Sequence, residues 1–315
     1  LLDYFDAMLY LANWGTKRLA FRLPRSLVDT EAIAPYCIED MVSIEATKKY
    51  VLLDIDFNDE EGGGWIEGEG WLSSLVSIRQ DILRGDFRAL YLGWLKAISL
   101  EPGIEDADYL LEPPVPAGLK KLSPPLKEFV ELFEIDEDWI AAASEISPRS
   151  ENALERNVEN LIASLPEQER NDFLARLVRG ETNLDAQLAK RLRELSPGGG
   201  KSPRRRNVAE LFAAASEKAR ERKEKKRRKA EKARIERLTA LSKKEEQVWG
   251  EILALIEEKK AKPYDEAIKL LVEMRELGEF LGKADEFQAR INQIWEKCSN
   301  RPSFLDRMRR ARLLE

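Results

Sequence analysis

Hydrophobic positions change their period along the chain. In residues 3–14, DYFDAMLYLANW, Phe5, Leu9 and Ala12 share one helical face, with Met8 and Leu11 beside it. That spacing predicts a helix stopped by Gly15. The pattern then shifts: Leu19, Phe21 and Leu23 alternate with Arg18, Ala20 and Arg22, as in a half-buried strand closed by Pro24. Residues 42–46 and 50–57 read as a hairpin. Helices are expected over 65–84 and 86–99, separated by Arg84-Gly85-Asp86, and the aromatic-rich second one belongs in a core. From residue 119 onward no strand is expected. Short helices begin at Ser123 and Asp136, and three more cover 151–164, 167–179 and 183–195.

SPGGGKSPRRR, residues 196–206, has the Gly and Pro content of a linker. A helix over about 207–241 follows, and at 1.5 Å per residue it would extend roughly 52 Å. Val208, Leu211, Phe212 and Ala215 give its start an apolar side, whereas residues 216–229 contain no large apolar residue. Glu221 and Lys225, and Glu224 and Arg228, are spaced to pair along it, at about 0.2–0.5 kcal/mol each. Helical stripes return with Val248, Ile252 and Leu255, with Trp249, Leu253 and Ile256, and with Phe287, Ile291, Ile294 and Cys298. Pro263 marks a helix entrance between them. Three or four short antiparallel helices would bury these stripes. The fold class expected is α+β and mostly helical: an α+β domain over 1–118, a helical region over 119–195, the linker 196–206, a long basic helix over 207–243 and a helical module over 244–315.

Charge placement sharpens this division. The chain carries 52 basic and 58 acidic residues. Residues 1–150 hold a net −14, residues 201–244 a net +12, and the segments 151–200 and 245–315 a net −2 each. An acidic head is thus followed by a basic neck. Clustered cations can neutralise phosphates and release counterions. The candidate contacts are Arg204, Arg205, Arg206, Arg222, Lys225, Lys226, Arg227, Arg228 and Lys229. No aromatic residue lies among them, so base stacking is not indicated. The same cations would suit an acidic protein partner, a solvated spacer, or docking onto the acidic head.

Candidate catalytic chemistry is sparse. The chain has no histidine, which removes the commonest general base and every Ser-His, Cys-His or His-metal arrangement. Cys37 and Cys298 cannot form a disulfide framework or a zinc ribbon by themselves. Asp54-Ile55-Asp56 places two carboxylates on one strand face, with Leu53, Ile55 and Phe57 on the other. Together with Asp59, Glu60, Glu61 and the nearby Lys48 and Lys49, this is a candidate Mg²⁺ site for phosphoryl transfer or nuclease chemistry, set against a polar strand face. Gly200-Lys201-Ser202 has Leu195 where a phosphate-binding loop needs glycine, and a helix precedes it, so a P-loop is rejected. Glycines 62–64 carry no dinucleotide fingerprint and read as a loop. Trp14, beside Lys17 and Arg18, is expected to cap the core.

Two stretches resemble known proteins. LDYFDAMLYLANWGTKRLAFRLP with GDFRALYLGWL resembles a widespread family of uncharacterised bacterial proteins, and the resemblance implies no activity. PYDEAIKLLVEMRELGEFLGKADEFQARINQIWEKCSNRPSFLDRMRRARL resembles the helical tail of bacterial SWIM zinc-finger proteins. What that implies is a helical module that docks on a partner or accompanies nucleic-acid work. The cysteine spacing and histidine of the zinc-binding part are missing, so zinc is not carried over.

The function expected first is a non-enzymatic interaction or adaptor protein that binds an acidic partner through its helical modules and basic neck. A nucleic-acid-binding protein contacting phosphates through residues 201–244 comes second, and the Asp54–Asp56 enzyme third. No cofactor is expected. No apolar run approaches the roughly 20 residues that span a bilayer, and LLDYFDAMLYLA lacks the basic start of a secretory signal. A cytoplasmic location without a membrane partner is expected, with the oligomeric state left open.

Overall fold

The computed structural model describes residues 5–13, 15–58, 70–101, 107–148, 153–195 and 205–314. The protein is α+β and mostly helical, as the sequence predicts. It divides into two compact units, residues 1–222 and 223–315. The expected break near residue 118 is not a boundary between cores, because one apolar cluster runs from Leu19 to Ala215.

Unit 1 opens with an antiparallel sheet of four strands in the order β1-β2-β4-β3. The strands are β1 (Ala7–Leu11), β2 (Thr16–Pro24), β3 (Val42–Ala46) and β4 (Tyr50–Asn58). The predicted β2 and the predicted hairpin are present. The helix predicted over 3–14 is not: Ala7–Leu11 pairs along β2, with Leu9 opposite Leu19 and Ala7 opposite Phe21. Gly15, at φ 101°, turns the chain between the two strands rather than capping a helix. Trp14, expected to cap the core, lies outside the described residues.

Antiparallel register puts directly opposed residues on one face. Leu19, Ile55 and Val42 form one row, and Phe21, Leu53 and Ile44 the next. All but Ile44 are fully buried. A short helix α1 (Thr30–Ile33), capped by Asp29, leads through a 3₁₀ turn to Tyr36. The helices α2 (Trp71–Leu83), α3 (Arg88–Leu100), α4 (Pro124–Leu132) and α5 (Glu137–Ile146) follow. Helix α3 approaches β3 closely at Gly93, where an added Cβ would sit 3.3 Å from Val42 Cγ2. At the α5 start, Asp136 accepts from the Asp138 amide at 2.7 Å.

The helices α6 (Ala153–Ser164), α7 (Glu167–Val178) and α8 (Leu184–Leu195) follow, and α6 and α8 share a small cluster around Leu161, Leu165 and Leu192. Helix α8 is also tied to α2: Asp185 accepts from Gln80 Nε2 at 3.1 Å and from Arg84 Nε at 2.9 Å. The long helix α9 (Val208–Ser242) crosses the division between the units, which falls between Arg222 and Lys223.

Unit 2 contains the end of α9 with α10 (Glu245–Glu257), α11 (Ala261–Leu281), α12 (Ala284–Lys297) and α13 (Pro302–Arg310). Leu238 on α9 joins Trp249, Ile252, Leu271, Ile291 and Phe304 in its core. Of the stripes that the sequence marks, Trp249, Ile252, Ile256, Phe287, Ile291, Ile294 and Cys298 are buried here, whereas Leu253 is exposed; Pro263 stands in the first turn of α11. Among the described residues no helix is long and apolar enough to cross a membrane.

Candidate functional site

Helix α9 begins on a reciprocal cap. Asn207 Oδ1 accepts from the Glu210 amide at 2.8 Å, and Glu210 Oε2 accepts from the Asn207 amide at 3.1 Å. Val208 and Leu211 are fully buried, and Phe212 meets Trp139 edge-on with ring centroids 4.9 Å apart. A backbone bond from Val208 N to Leu110 O at 2.9 Å ties this start to the Pro-rich connection after α3.

The expected cationic contacts divide into groups with different fates. Arg204 lies outside the described residues, as do Lys201 and Ser202. Arg205 is exposed. Arg206 turns inward: Nε donates to Glu112 Oε2 at 2.5 Å, Nη2 to Glu112 Oε1 at 3.1 Å and Nη1 to Ala142 O at 3.2 Å. Glu112 is 1% exposed and also accepts from the buried Tyr91 hydroxyl. Burial alone would pull the Arg206 guanidinium down; the hydrogen bond and charge of Glu112 hold it above its ordinary value. Arg206 is therefore a buried latch, not a phosphate contact.

Arg222 is engaged as well. Its guanidinium donates to Asp138 Oδ2 at 2.7 Å and Glu137 Oε1 at 3.2 Å, with Asp136 at 3.9 Å. One turn earlier, Lys218 pairs with Glu145 at 2.6 Å and with Glu221 at 3.0 Å. Of the readings weighed for the neck, docking onto the acidic head describes its first part, Arg206 to Arg222.

The next residues differ. Between Lys223 and Lys229 every side chain is exposed. Arg228 pairs only along the helix, with Glu224 at 2.6 Å. Lys223, Lys225, Lys226, Arg227 and Lys229 have no ion-pair partner among the described residues. At 100° per residue, Lys223, Lys226 and Arg227 fall on one side of the helix, and Lys225 and Lys229 on another, roughly 130° round the axis. Acidic residues on this stretch fall between the two groups: Glu224 and Glu231 share the flank that also carries Arg228. Alanine, Lys, Arg and Glu all favour helix, which keeps this segment ordered without apolar burial.

Asp54 and Asp56 do share a strand face, and Arg18 of the neighbouring strand lies over both. Arg18 Nε is 2.9 Å from each Asp54 oxygen and 3.6 Å from Asp56 Oδ2. Its hydrogen bond to Asp54 raises the Arg18 guanidinium above its ordinary value. Burial raises the Asp56 carboxyl, which Arg18 partly opposes. Lys48 and Lys49 occupy the β3–β4 turn, so Lys49 is five residues from Asp54 along β4, roughly 16 Å at strand rise. The lysine that a nuclease-like site needs is not brought to the carboxylates. Asp59, Glu60 and Glu61 lie outside the described residues, as do glycines 62–64. Among the described residues no three His, Cys, Asp or Glu side chains group as metal ligands.

Comparison with protein-family models, with curated proteins and with solved structures returns no match to this chain.

Proposed function

We propose that the protein is a nucleic-acid-binding protein that contacts the phosphates of a duplex through the exposed segment of α9. The observation that carries this reading is the set of five cations, Lys223, Lys225, Lys226, Arg227 and Lys229, exposed and without partners on consecutive turns. Charges that serve an internal contact in this chain are paired, as Arg206 and Arg222 are. Two flanks of cations on one helix match the geometry of a major groove, about 12 Å wide, in which a helix meets phosphates of both strands. Base readout is not part of the proposal, since the segment offers only Lys, Arg, Glu and Ala.

The test is fluorescence anisotropy with a labelled DNA duplex, an RNA duplex and single strands of each, at low salt. Wild type should bind duplex without marked sequence preference. A variant with Lys223, Lys225, Lys226, Arg227 and Lys229 changed to Gln should lose binding. Equal binding by that variant, or none by wild type, would contradict the reading. In the second case an acidic protein, the partner expected first from the sequence, becomes the better match to the same cations.

A further inference from the structure

A cavity of about 270 Å³ lies in unit 1 between the end of α2, the loop before α1, and α8. Its walls are mostly apolar: Ile33, Ile82 and Leu83 are buried, and Leu27, Val28 and Phe87 pack against the same core. Two cations of α8, Lys190 and Arg193, reach its lining. Lys190 Nζ donates to Ser26 O at 2.8 Å. Arg193 lies flat on Gly85, where an added Cβ would come within 2.2 Å of Nη1. Its Nε donates to Ala189 O at 3.3 Å. Among the described residues its two Nη groups have no acceptor and no carboxylate lies within ion-pair distance.

The two carboxylates in the lining are committed elsewhere. Asp29 Oδ1 accepts the Glu31 and Ala32 amides at 3.1 and 3.2 Å, and Glu194 pairs with Arg191 at 3.2 Å. Burial pulls the Arg193 guanidinium below its ordinary value, by more than Asp29 and Glu194 offset. A planar fork with free donors at the wall of an apolar pocket is the arrangement that takes a carboxylate in bidentate fashion. The volume sits near the lower end of ligand pockets, which limits the apolar body to a small one.

We propose that this cavity binds a small amphipathic organic anion, its carboxylate on Arg193 and its apolar body against Val28, Ile33, Ile82 and Phe87. The site is built wholly from unit 1 and shares no residue with the cationic segment of α9, so the two proposals stand or fall separately.

Octanoate, with about ten non-hydrogen atoms, is a fitting probe, and octanol is its neutral counterpart. Isothermal titration calorimetry on the full chain should show saturable 1:1 binding of octanoate, with octanol weaker. Arg193→Gln should weaken octanoate about tenfold or more, bringing it to the level of octanol. Val28→Phe, which fills the cavity while leaving the charge, should abolish both. Thermal melts of each variant check folding; if Arg193→Gln is unfolded, the octanol comparison and Val28→Phe decide. No saturable binding, equal binding of octanol and octanoate, or undiminished binding in either folded variant would overturn the proposal.

Discussion

The latch at the start of α9 makes a quantitative prediction. Glu112→Ala removes the acceptor of both Arg206 and Tyr91. The Arg206 side chain is 11% exposed and that of Glu112 is 1% exposed, so solvent screens little of their interaction. Removing one member of a buried pair leaves an uncompensated charge and costs about 3–5 kcal/mol. The stranded Tyr91 hydroxyl adds a share of about 1 kcal/mol. With a urea m-value of about 3 kcal/mol/M for a unit of this size, the midpoint should fall by about 1.3–2 M. Tryptophan fluorescence and hydrogen exchange read by fragment would separate the unit 1 transition from that of unit 2. A triple change, Glu112→Leu, Arg206→Met and Tyr91→Phe, removes every polar group together and should return stability to within about 1 kcal/mol of wild type. A loss below about 1 kcal/mol for Glu112→Ala, or a triple variant no more stable than the single one, would refute this account of the latch.

Three further outcomes follow from the geometry. Its hydrogen bonds to Arg84 and Gln80 outweigh burial and hold the Asp185 carboxyl below its ordinary range; the stability it gives is complete above about pH 4 and is lost as pH falls through the lowered folded value. Hydrogen exchange in α8 should therefore quicken selectively in acid, and Asp185→Asn should show that faster exchange already at pH 7. Gly93→Val would push a branched side chain towards Val42, which an added Cβ already approaches at 3.3 Å; a loss of about 1–3 kcal/mol is expected by thermal denaturation. Asp54→Ala should cost at most about 1 kcal/mol, because its Arg18 partner is half-exposed, and calorimetry is expected to show no Mg²⁺ binding by either wild type or the variant.

What the sequence makes legible depends on the range of the interactions. The stripes of α10 and α12 are local, and one period of 3.6 suffices to find them. The alternation in β2 is equally local. Residues 7–11 are different. Ala7, Leu9 and Leu11 face the core side, but Met8 and Tyr10 are also apolar, so helical spacing fits as well as a strand. Only the pairing with β2 decides, and that pairing leaves no trace within five residues. The candidate cations show the same limit. Lys223, Lys225, Lys226, Arg227 and Lys229 have no ion-pair partner among the described residues, as the uninterrupted polarity of their segment suggests. Arg206 and Arg222 look identical to them in composition, yet their partners are 94 and 84 residues away. Glu112, an acid between Leu111 and Pro113, was the available signal for a buried charge. The Asn207-x-x-Glu210 spacing likewise marked the start of α9. The α8 cavity had no signal, since it depends on how Arg193 meets Gly85.

The most direct test of the central claim is the salt dependence of duplex binding. If Lys223, Lys225, Lys226, Arg227 and Lys229 each neutralise one phosphate, the slope of log K against log salt should be about −4.5. Changing Lys225 and Lys229 to Gln should lessen it to about −2.7. A slope near zero in wild type, or one unchanged in that variant, would contradict the assignment of α9 as the phosphate-binding element.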